Sequence, residues 1–160
     1  MAKQWMYLAH NHYGFSNDGR TIAELRIDAQ ADSNRGQFIF DDQTLTLSLK
    51  GFWRNRFTII NQSGSEILVG APKSWYAHSL QLQSGSQSYT LEVRNNPLAE
   101  WVILQDGREI LSYGLKTKDG KILIGINEIK ANPPIVFHFL LWYYFAPVAM
   151  EAFGNDYVFT

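Results

Sequence analysis

The stretch Ile135–Ala149 reads IVFHFLLWYYFAPVA and is apolar on every side. A one-sided helix shows a stripe of apolar residues and a half-buried strand shows strict alternation; this block shows neither. A helix that is apolar all round has to be buried all round. Burying one large apolar side chain is worth roughly 1.5–3 kcal/mol, so leaving these rings and leucines in water would forgo on the order of 15–20 kcal/mol. A whole domain is stable by only about 5–15 kcal/mol, which excludes a solvent-exposed surface helix. Two environments remain, the core of the protein or a bilayer. Fifteen helical residues rise about 22 Å against a hydrocarbon core of roughly 30 Å. Pro133 and Pro134 limit extension upstream and Glu151 limits it downstream, while His138 and Pro147 lie inside. The only nearby basic flank is Lys130, with no positive cluster. The block is therefore read as a core helix, with no integral membrane insertion. Asn132 is its expected cap, Pro133 belongs to its first turn, Pro147 should kink or end it, and Gly154 is a plausible stop. Asp156–Thr160 is expected to form a last short strand.

The rest of the chain reads as β-hairpins. Tyr13-Gly14-Phe15 leads through Asn17-Asp18-Gly19-Arg20 to Ile22, and Phe57–Ile60 through Ser63-Gly64 to Glu66-Ile67-Leu68. Trp101–Leu104 leads through Asp106-Gly107-Arg108 to Glu109-Ile110-Leu111, and Gly114-Leu115 through Asp119-Gly120-Lys121 to Ile122–Ile124. Asp-Gly suits the primed turns that join twisted antiparallel strands, because those turns need positive φ. Leu45, Leu47 and Leu49 alternate with polar residues, as do Leu80 and Leu82, then Tyr89, Leu91 and Val93. Period two marks strands with one buried and one wet face, and many of them at short spacing indicate a sandwich or barrel. The expected fold is mainly β: one domain over residues 1–160, a closed antiparallel barrel of successive hairpins around a central hydrophobic C-terminal helix.

Composition narrows the function by exclusion. The net charge of −1 argues against a protein devoted to nucleic-acid phosphate. The absence of cysteine removes disulfides, thiolate metal sites and thiol nucleophiles. The N-terminal MAKQWMYLAHNH has no secretory pattern, and a cytoplasmic location is expected. There is no Gly-x-Ser-x-Gly elbow, no phosphate-binding glycine loop and no paired carboxylates. No catalytic residue and no cofactor is expected, and the chain is read as a non-enzyme.

Three features carry candidate chemistry. In Lys50-Gly51-Phe52-Trp53-Arg54-Asn55-Arg56-Phe57, inward Trp53, Asn55, Phe57 and Ile59 leave Arg54 and Arg56 facing outward together. Paired guanidinium groups suit phosphate or carboxylate, and Lys50 and Lys73 extend the set. The competing reading is an ordinary solvated strand face with cross-strand carboxylate partners. His10 and His12 are spaced to share a strand face and are the weak metal candidates; no sequence feature nominates a third ligand. His138, inside the apolar block, is expected to be neutral and hydrogen-bonded to a carbonyl or hydroxyl.

The order of these elements resembles the tubby C-terminal-like superfamily, which includes the LURP-one-related proteins and the phospholipid scramblases. The residues that carry the resemblance are Trp53–Leu68, Trp101–Leu111, Asp119–Ile124 and Ile135–Ala149. It implies a barrel with the apolar helix threaded through its middle, and recognition of anionic phospholipid or a membrane surface by cations on the barrel. Lys50, Arg54, Arg56 and Lys73 are the counterparts here. Scramblase-type cysteine clusters and a C-terminal calcium-binding carboxylate run are absent, so lipid scrambling is not implied. Rival readings are an enzyme or small-ligand carrier with a pocket at the barrel mouth, and a protein–protein adaptor.

Overall fold

The structure is a computed structural model that describes residues 3–28, 35–50, 56–72, 79–95 and 98–153; for 50, 117–118, 121–123 and 147–153 it describes the backbone alone. Twelve strands form one antiparallel sheet in chain order, each paired with its neighbours in sequence. They are β1 (Lys3–Ala9), β2 (His12–Asn17), β3 (Arg20–Asp28), β4 (Arg35–Phe40), β5 (Gln43–Lys50) and β6 (Arg56–Ile60). There follow β7 (Glu66–Pro72), β8 (Ser79–Ser84), β9 (Gln87–Asn95), β10 (Ala99–Gln105), β11 (Arg108–Lys118) and β12 (Lys121–Glu128). One helix, α1 (Ile135–Phe153), completes the described chain. The expected hairpins are present, and β11 serves as the return strand of one and the outgoing strand of the next. At Asp18-Gly19, Asp106-Gly107 and Asp119-Gly120 both turn residues have positive φ, between 52° and 82°. That is the primed-turn geometry Asp-Gly favours.

The sheet curls into a nearly closed barrel because its inner face wraps α1. Rings of the helix meet rings from strands all around it. Phe139 stacks on Phe38 of β4 (5.0 Å), and Phe137 meets Tyr89 of β9 edge-on (4.7 Å). Tyr144 meets Phe57 of β6 (6.2 Å), and Phe145 meets Trp101 of β10 (4.9 Å). Trp142 stacks on Trp5 of β1 (5.3 Å) and meets Tyr13 of β2 edge-on. Through these rings the helix meets β1, β2, β4, β6, β9 and β10, so an apolar surface on every side is what its position requires. Leu45, Leu47, Phe57, Ile59, Leu82 and Leu91 are buried, each on the face alternation assigned.

Two inward-facing glycines make room for this packing. A Cβ at Gly36 would lie 2.9 Å from the Tyr143 ring, and one at Gly70 would lie 2.1 Å from the Phe57 ring. Phe57 is itself held against Tyr144, so it cannot simply swing away. Gly70→Ala is expected to lower stability by about 1–3 kcal/mol through overpacking, read from urea unfolding.

The helix start differs from the expected cap. Asn132 has φ 50°, and the Phe137 amide bonds the Pro134 carbonyl (3.0 Å), so the cap position is Pro134. A residue before proline is pushed out of the α region, which keeps Pro133 outside the helix. Pro147 does not end α1, which runs on to Phe153. Gly154 and Asp156–Thr160 lie outside the described residues. Among the described residues no helix is long and apolar enough to cross a membrane.

Closure of the barrel is completed by side chains. Among the described residues no ladder joins β1 to β12, the first and last strands of the sheet. Across that seam the Lys3 ammonium of β1 bonds the Glu128 carboxylate of β12 at 2.6 Å.

Candidate functional site

The Lys3–Glu128 pair is the outer end of a hydrogen-bonded chain that enters the core. His138 Nε2 lies 2.9 Å from Glu128 Oε2, and His138 Nδ1 lies 2.6 Å from the Tyr113 hydroxyl. The Trp5 indole N–H donates to that same hydroxyl at 2.9 Å. Indole nitrogen only donates, so the Tyr113 oxygen accepts from Trp5; the Glu128 carboxylate only accepts, so neutral His138 donates from Nε2 and its Nδ1 accepts the Tyr113 hydroxyl proton. His138 is then the neutral tautomer with its proton on Nε2, donated to Glu128. Burial pushes the His138 pKa from 6.5 down to about 4, against the opposing pull of the Glu128 carboxylate. Burial pulls Glu128 upward, but its hydrogen bonds to Lys3 and His138 hold it below the usual carboxylate value. Burial raises Tyr113 well above the ordinary phenol range.

The order Glu–His–Tyr has the logic of a carboxylate orienting a base beside a hydroxyl. Here, however, the hydroxyl is fully buried and held from its other side by Trp5. The chain joins β1, β11, β12 and α1 and closes the seam. The hydroxyl partner of His138 matches the expectation from sequence. Glu128 and Lys3 were not anticipated, because only the closing of the barrel brings residue 3 beside residue 128.

The expected cationic patch falls at the junction of β5 and β6. Arg56 is exposed, with Phe57 and Ile59 buried on the opposite face, as period two requires. Lys50 is its register partner on β5. Arg54 and Lys73 lie outside the described residues, as do Phe52, Trp53 and Asn55. Among the described residues no carboxylate pairs with Arg56; arginine–carboxylate pairs lie elsewhere, along β9 at Arg94–Glu92, along β3 at Arg26–Glu24, and between β9 and β11 at Arg94–Glu109. Arg56 stands at the rim of an open groove of about 370 Å³ on the outer face of β6, β7 and β8. Its floor is Thr58, Val69, Gly70 and Ala71, and Gln81 and Gln83 form the far wall. The groove exists because β7 presents small side chains between longer ones on the neighbouring strands. Sequence reading could place Arg56 but not the groove, whose floor arrives through the register Thr58↔Val69↔Gln83.

Two further features are structural. Arg94 bonds both Glu92 of β9 and Glu109 of β11, spanning the strand between them. His10 and His12 do not share a strand face: β1 ends at Ala9, Asn11 turns with φ 56°, and β2 starts at His12. His12 instead lies 3.2 Å from Glu24. No group of three metal-ligating side chains occurs among the described residues.

No protein-family profile, no curated protein and no solved structure matches this chain.

Proposed function

We propose that this protein is a non-enzymatic binding module that recognises an anionic amphiphile, namely acidic phospholipid at a membrane surface. The observation that carries the reading is Arg56, exposed and without a carboxylate partner among the described residues, at the rim of an apolar groove. A phospholipid offers both complements: a phosphate for the guanidinium fork and acyl carbon for the Val69–Ala71 floor. Lys50, the register partner of Arg56 on β5, belongs to the cationic patch in this reading. Arg54 and Lys73 belong to the patch in this reading. The barrel interior is occupied by α1, which favours the outer face over a pocket at the barrel mouth. The resemblance to the tubby-like superfamily points the same way, to a cytoplasmic protein peripheral to a membrane.

Each basic residue near an acidic surface contributes about 1 kcal/mol, or about fivefold in affinity. Co-sedimentation with phosphatidylcholine vesicles, with and without phosphatidylserine, tests the reading. Binding is expected only to the acidic vesicles, weakened by salt, about fivefold weaker in Arg56→Ala and weaker again in Val69→Asp. Equal binding to both vesicle types, or none to either, would remove it.

A further inference from the structure

On the inner face of β1 and β2, Trp5 and Phe15 are register partners and their rings stack at 4.7 Å. One row toward the strand ends, the same register sets Lys3 of β1 directly opposite Asn17 of β2. Residues two apart in a strand share a face, so Lys3 and Asn17 lie on the side of the sheet that carries Trp5 and Phe15. Directly opposed residues have Cβ atoms about 4.5–5.5 Å apart, well within the reach of a lysine side chain. The Lys3 side chain is only 13 % exposed, and its Nζ lies 2.6 Å from Glu128 Oε2. Asn17 Oδ1 is buried and has no hydrogen-bond partner among the described residues. Buried acceptors are nearly always bonded, so this orphaned carbonyl calls for an explanation.

An amine, a carboxamide and a carboxylate gathered at one place are the nucleophile, the electrophile and the proton carrier of an amide exchange. We propose that Lys3 and Asn17 join in an isopeptide cross-link, with Glu128 carrying the protons. Lys3 Nζ gives a proton to Glu128, and the freed lone pair attacks Asn17 Cγ. Protonated Glu128 is now a donor, which is what Asn17 Oδ1 lacks, and a donor there stabilises the oxyanion that forms. The Cγ–Nδ2 bond then breaks as a proton reaches Nδ2, which departs as ammonia. Of the three protons on the Lys3 ammonium, one stays on the new amide nitrogen, one leaves in the ammonia and one remains on Glu128. No further reactant enters the balance.

The surroundings suit this step. His138 Nε2 lies 2.9 Å from Glu128 Oε2 and holds the carboxyl in place. The Phe15 ring lies 4.8 Å from the His138 ring and walls the inner side, keeping water from competing with the amine. The bond also has a structural use. Among the described residues β1 has a ladder on one side only, to β2, and the cross-link fastens it there beside the seam. The inference concerns the inner face and is independent of the lipid reading.

Intact-mass spectrometry of the purified full chain tests it. The chain is expected to be lighter than its sequence mass by one ammonia, about 17 Da. Trypsin should fail to cut after Lys3, so that Lys3 and Asn17 stay in one peptide ending at Arg20, and that peptide should carry the loss. Lys3→Arg and Asn17→Ala should each show the full mass. Asn17→Asp should lose water in place of ammonia, about 18 Da. Glu128→Gln, with the circular dichroism of the parent, should form the bond about a hundredfold more slowly. A parent of full sequence mass after prolonged incubation at neutral pH overturns the inference. So does an ammonia loss that persists in Lys3→Arg, which would place it in a succinimide at Asn17, and an unchanged rate in Glu128→Gln overturns the part given to the carboxylate.

Discussion

Replacing Trp142 with alanine is expected to lower the unfolding free energy by about 3–5 kcal/mol, the range for emptying a buried aromatic site. Trp142 is fully buried; its ring lies parallel to Trp5 at 5.3 Å and meets Tyr13 edge-on at 5.5 Å. Tyr113 and Phe145 complete its surroundings. Its contacts join α1 to β1, β2 and β11, beside the β1–β12 seam, where the described residues form no ladder. With total stability of about 5–15 kcal/mol, this one change removes a large share of it. Urea unfolding followed by far-ultraviolet circular dichroism measures the loss, and Val69→Ala on the outer face supplies a control expected to stay within about 0.5 kcal/mol. A loss below about 1 kcal/mol for Trp142→Ala would mean that the helix is not enclosed as described.

The barrel was legible because its determinants are local. Asp18-Gly19, Asp106-Gly107 and Asp119-Gly120 each specify a primed turn within a few residues, and Leu45, Leu47 and Leu49 declare their face by period two. Ile135–Ala149 declared its burial by having no polar face. Arg56 was legible for the same reason as Leu47, by alternation with buried neighbours. What could not be read is what depends on distant pairing. Thr58, Val69 and Gln83 form one row of the lipid-binding candidate only because β6, β7 and β8 lie side by side in that register. His138 was expected to find a carbonyl or a hydroxyl, and it finds the Tyr113 hydroxyl. Its second partner lies ten residues upstream, in a strand brought alongside by the 129–134 connection, and Lys3 belongs to the far end of the chain.

Acidification is expected to destabilise the protein between pH 6.5 and about 4, and His138 is the reason. In the unfolded chain the imidazole takes up a proton near 6.5; in the folded barrel it resists protonation until about 4. Between those values the unfolded state binds more protons, so stability rises with pH and is lost as pH falls. A fall from 6.5 to about 4 is equivalent to about 3 kcal/mol. The hydrogen-bond directions explain the resistance. A proton on Nδ1 would turn His138 from acceptor to donor toward Tyr113, whose oxygen already receives the Trp5 N–H. The Tyr113 hydroxyl proton would then lose its acceptor at a fully buried side chain, a penalty of about 1–3 kcal/mol. Glu128, held below its ordinary value, acts in the same direction at lower pH: its stabilising bonds to Lys3 and His138 are lost as it protonates. Urea unfolding at a series of pH values should show the slope in the parent. In His138→Gln the slope between pH 6.5 and 4 should flatten, whatever the variant's absolute stability, because the titrating group is gone. Lys3→Met should instead remove the ion pair that bridges β1 and β12 while retaining the histidine slope. A parent whose stability is constant across this range would show that His138 titrates freely, and with it that the seam is open to water.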